Sequence, residues 1–95
     1  MTYIFSADAR VDLLAAADFY DSQRPGLGAE FASEFESALA RLRESPQRWP
    51  EIEPGIRRYR VDRFPYAIIY RMLPSDTLEI IAVFHLRRRP GTWRR

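Results

Sequence analysis

Ninety-five residues without a cysteine exclude a multidomain chain, a disulfide framework and any thiolate metal site, so one domain over residues 1–95 is expected. A chain of this length buries roughly 60 to 65% of its unfolded surface, enough for a single core without covalent staples. No apolar run reaches the ~18 residues of a membrane span and no signal-peptide pattern opens the chain, which excludes a membrane partner and makes the cytoplasm the expected location.

The net charge of +2 conceals an asymmetry. Up to Glu53, ten acidic residues stand against five arginines; from Pro54 on, ten arginines stand against Asp62, Asp76 and Glu79, giving halves of −5 and +7. The second half is therefore expected to meet an anionic partner. Every basic residue is arginine, which suits planar, bidentate contacts to carboxylate or phosphate, although a GC-rich genome produces the same bias.

In chain order, Thr2 to Phe5 is β-branched and aromatic and predicts one short strand. Ser6 predicts a helix cap, with Asp8 in the first turn where the helix dipole favours negative charge. On this first helix Ala9, Leu13, Ala16, Ala17 and Tyr20 share one sector, the core face, while Val11, Leu14 and Phe19 lie elsewhere, available to the next helix or to a partner. Arg24-Pro25-Gly26-Leu27-Gly28 breaks the helix. A second helix is predicted from Leu27 to Ser45 on the recurrence of Leu27, Phe31, Phe35, Ala38, Leu39 and Leu42, ended by Pro46. So short a link predicts an antiparallel helical hairpin. Residues 46–54 read as a proline-punctuated loop that Trp49 anchors to the core.

Ile56 to His85 carries the sustained strand pattern. Ile56 to Asp62 alternates Arg58 and Arg60 against Arg57, Tyr59 and Val61; Tyr66 to Leu73 is apolar on both sides and predicts a central strand. Thr77 to His85 sets Leu78, Ile80, Ala82 and Phe84 against Ile81, Val83 and His85. The expected fold is α+β: a two-layer sandwich of an antiparallel sheet, element order β-α-α-β-β-β, with the helical hairpin packed on one face.

His85 is the sole histidine, so neither a Ser-His-Asp triad nor a multi-histidine metal site is expected, and no cofactor or metal. It reads either as a structural residue at a strand end or as a general acid or base whose neighbouring arginines lower its pKa. Arg57, Arg58, Arg60, Arg63 and Arg71 on adjacent strands, continued by Arg87, Arg88 and Arg89 and anchored by Trp93, form a candidate basic patch. Interleaved with Tyr59, Phe64, Tyr66 and Tyr70, the patch suits single-stranded RNA or an acidic protein segment equally well. Glu51 and Glu53 share a loop and read as solvated carboxylates or as a base toward a ribose hydroxyl. No glycine-rich phosphate loop is present, which argues against nucleotide hydrolysis.

The order of elements, together with Gly55-x-Arg57-Arg58-Tyr59, Phe64-Pro65-Tyr66-Ala67-Ile68-Ile69-Tyr70-Arg71 and Val83-Phe84-His85-x-Arg87-Arg88, resembles the RelE/ParE toxin superfamily, most closely its ParE, or plasmid-stabilisation, branch. That resemblance implies a bacterial type II toxin with a cognate antitoxin, ParD-like or another small antitoxin, and DNA gyrase as the target of a non-enzymatic inhibitor. The basic patch would then be the target-binding surface, and Val11, Leu14 and Phe19 the antitoxin-binding surface. The RelE branch, whose members cleave messenger RNA on the ribosome, implies instead an endoribonuclease using His85, Arg57, Arg60 and Arg87. Ala67 stands where those enzymes place an arginine and Leu86 where they often have tyrosine. A plain basic module that binds free nucleic acid is the third reading.

Overall fold

The computed structural model describes residues 2–94. Strand β1 (Thr2–Phe5) leads into helices α1 (Ala7–Gln23) and α2 (Leu27–Glu44), a 3-10 turn (Pro46–Arg48), and strands β2 (Glu51–Glu53), β3 (Ile56–Arg60), β4 (Tyr66–Leu73) and β5 (Thr77–His85). The expected α+β class and helical hairpin are present. Sheet order is β1-β5-β4-β3-β2, with β3, β4 and β5 forming the expected antiparallel meander.

Two features extend that expectation. β1 pairs with β5 in parallel, so the sheet is mixed. β2 pairs with β3 at the outer edge, where the loop was expected. Pro50 and Pro54 masked it, but an edge strand needs no donors on its outer side and tolerates proline at its ends.

The helices meet as their sequences dictate. The Ser6 side chain accepts the Ala9 N–H at 3.0 Å and starts α1. Gly26, at φ 90°, turns the chain in a conformation that an L-residue resists, and it has no side chain to cap α2. Asp21 of α1 supplies that cap, its Oδ1 accepting the Gly28 N–H at 2.8 Å. The helices approach so closely that a Cβ at Gly28 would lie 2.5 Å from the Ala17 carbonyl oxygen.

The apolar stripe of α2 (Phe31, Phe35, Ala38, Leu39, Leu42) is buried against one face of the sheet, joined by Ile68, Tyr70, Leu78 and Ile80. Tyr20, Phe31, Phe64 and Tyr66 form an aromatic cluster with ring centroids 4.8 to 6.2 Å apart. The Tyr70 hydroxyl, deep in this core, donates to the Pro46 carbonyl at 2.6 Å, and burial pushes its pKa up to about 12.

One expectation about β5 is corrected. Strict alternation places Leu78, Ile80, Ala82 and Phe84 on one face, but Tyr70 pairs with Ile80 while Ile69 pairs with Ala82, leaving Ile81 as an extra residue in a bulge. Beyond it the faces exchange: Val83 joins the helix-side core with Leu78 and Ile80, and Ala82 and Phe84 turn to the opposite face with Ile69. The first helical segment accommodates the bulge, Ser6 Oγ donating to the Ile81 carbonyl at 2.8 Å and Asp12 Oδ2 accepting the Val83 N–H at 3.0 Å. The opposite face is covered not by a helix but by the C-terminal arm, residues 86–94, which lays Trp93 on Ile69, Ala82 and Phe84.

Candidate functional site

Because the bulge rotates the end of β5, His85 faces the helices. It lines a cleft with Asp12, Phe19, Tyr66, Val83 and Arg88, between α1 and the ends of β4 and β5. Its ring meets that of Tyr66 edge-on at 4.9 Å, and its Nδ1 accepts the Arg87 N–H at 3.0 Å. Burial, reinforced by Arg87 and Arg88, holds the His85 pKa below its ordinary value. A neutral imidazole with its proton on Nε2 follows, since Nδ1 serves as acceptor. Tyr66 is pushed upward, chiefly by burial.

The arginines of the expected patch divide into two groups. Arg57 is tied to the edge of the sheet, donating to the Trp49 carbonyl at 2.6 Å and pairing with Glu51. Arg63 pairs with Glu30 and Glu34 on α2, and Arg71 with Glu79 across the β4–β5 ladder. Arg58, Arg60, Arg87, Arg88 and Arg89 are exposed and hold no ion pair among the described residues. Arg58 and Arg60 alternate with the buried Tyr59 and so project from the face opposite the helices. Arg58 and Arg88 line one groove there together with Ile69, Phe84 and Trp93.

The four residues of the alternative ribonuclease set do not share one face. His85 faces α1 with Arg87 beside it, Arg60 projects from the opposite face, and Arg57 is bound to the β2 edge. Glu51 and Glu53, expected on a loop, lie on β2 and pair with Arg57 and Arg94. Among the described residues no cluster of three or more metal-ligating side chains occurs, and no helix is long and apolar enough to cross a membrane.

Val11, Leu14 and Phe19 on α1 are 64%, 66% and 54% exposed. Phe19 also forms the rim of the His85 cleft, which connects the two features.

Sequence reasoning missed Asp12 and Tyr66 as neighbours of His85, and Glu53 as the partner of Arg94. For Asp12 the signal was present: a carboxylate three residues after Ala9 and four before Ala16 sits at the margin of the buried sector of α1, where a charge needs a donor.

The sequence matches the family described as "ParE toxin of type II toxin-antitoxin system, parDE" over residues 3–90. No curated protein sequence matches it significantly. Among solved structures it resembles a chain of the chromosomal ParDE TA system from P. aeruginosa with a TM-score of 0.78 and 19% identity, covering 90% of this chain and 96% of that one. At that identity the likeness is one of fold.

Proposed function

The chain belongs to the ParE family of toxins of type II toxin-antitoxin systems, and from that premise we propose that it inhibits DNA gyrase by binding rather than by catalysis, in the cytoplasm. The family match carries this reading. The division of the arginines supports it: Arg58 and Arg60, without ion pairs among the described residues, project from the face away from His85 while Arg87 and Arg88 stand beside it, a spread of open cations suited to docking over a surface and not to acid–base chemistry at one point. In this reading Arg58, Arg60, Arg87, Arg88 and Arg89, with Trp93, form the target surface, and His85 is structural.

A cognate antitoxin, in the same proposal, neutralises the toxin by laying an amphipathic helix over Val11, Leu14 and Phe19. Three large apolar side chains exposed by more than half on one helix support an unfilled interface there. The test is co-purification. Leu14→Asp, a change at a side chain 66% exposed, is expected to abolish capture of the antitoxin while leaving the thermal transition in place; undiminished capture would remove α1 as the docking surface.

A further inference from the structure

Two observations bear on what the groove under the C-terminal arm recognises. The groove, about 280 Å³ in volume, has an apolar lining of the buried Ile69 and Phe84 and the more exposed Ile52 and Leu86, and is also lined by Arg58 and Arg88. Both guanidiniums are without ion pairs among the described residues, whereas Arg57 and Arg94 nearby are paired. Cations left open beside an apolar lining select a ligand that is itself apolar and anionic.

A further feature decides between a nucleic acid and a peptide. A single strand would need a free aromatic face for its bases. Trp93, the one aromatic of the arm, is already packed on Ile69, Ala82 and Phe84, with the Arg94 guanidinium 4.9 Å over its ring. We infer that this groove binds an acidic peptide segment of the inhibited protein, with an apolar side chain against Ile52 and Leu86 and carboxylates on Arg58 and Arg88. The inference rests on the proposal that the open face meets the target; it adds that the contact is with protein and not with DNA.

The chain has two tryptophans, and Trp49→Phe leaves Trp93 as the only reporter. The indole N–H of Trp49 has no hydrogen-bond partner among the described residues, so the substitution forfeits no hydrogen bond seen there. The probe is a short capped peptide of alternating Asp and Leu, with the Asn-for-Asp version and single-stranded oligothymidine as comparators at one salt concentration.

A saturable change in Trp93 emission is expected with the acidic peptide. Affinity should fall roughly tenfold or more for the Asn version and for Arg58→Gln/Arg88→Gln, since each loses charge-assisted hydrogen bonds. The absence of saturable binding, equal affinity for the Asn peptide, or tighter binding of oligothymidine would overturn the inference. Gyrase inhibition, measured in parallel, separates this from the functional proposal: peptide binding without gyrase inhibition removes the target and keeps the groove. Arginine-dependent gyrase inhibition without peptide binding does the reverse.

Discussion

The two faces of one sheet are built for different work. On the helix side, strand residues are sealed under α1 and α2, the buried Tyr70 hydroxyl is hydrogen-bonded, and aromatic rings interlock. On the other side three buried residues, Ile69, Ala82 and Phe84, lie under Trp93 of the C-terminal arm, and Arg58 and Arg88 there hold no ion pair among the described residues. The difference follows from period two: each strand of the meander sends alternate residues to opposite faces, so the same five residues of β3 deliver Tyr59 to the core and Arg58 and Arg60 to solvent. Stability and recognition are thereby separated without separate domains.

The comparison breaks if the open face proves to be a second core. Phe31, fully buried on the helix side, should lose about 3–5 kcal/mol on substitution by alanine, read from the urea midpoint at constant m-value. Trp93→Ala, which uncovers a smaller, partly exposed contact, should cost about 1 kcal/mol on the basis of the apolar area it exposes. Equal losses at the two positions would contradict the division of labour drawn here.

A smaller effect sharpens it. His85 belongs to the helix side, and its pKa is lowered by burial and by Arg87 and Arg88. The unfolded chain therefore binds a proton at a higher pH than the folded one. The contribution is fully present above the unfolded value near 6.5 and is lost as pH falls through the lower folded value. Stability of the wild type should fall with acidification through that window more steeply than stability of His85→Gln. Parallel pH profiles would show that His85 is not held neutral in the fold.

The sequence made the helix-covered half legible because its signals are local. Phe31, Phe35, Ala38 and Leu42 recur at helical spacing, and each strand of the meander carries its own alternation and turn. What escaped was decided by residues far apart. The bulge at Ile81 is accommodated by Ser6 and Asp12, 75 and 71 residues away from the groups they bind, and without it His85 would be assigned to the wrong partners. β2 was hidden by its flanking prolines. The arginine patch was read as continuous because nothing local distinguishes Arg57, which finds Glu51 and the Trp49 carbonyl, from Arg58, which has no ion pair among the described residues. Charge is written in the sequence; which charges are spent inside the molecule is settled by tertiary pairing.

The most direct measurement incubates the purified toxin with gyrase and supercoiled plasmid, and separately with translating ribosomes, for the wild type, His85→Gln and Arg58→Gln/Arg88→Gln. The account predicts gyrase-dependent DNA breaks with intact message, retained by His85→Gln and lost in the arginine variant. Cut message with unaffected gyrase, abolished by His85→Gln, would contradict it and move the site to the helix side of the sheet.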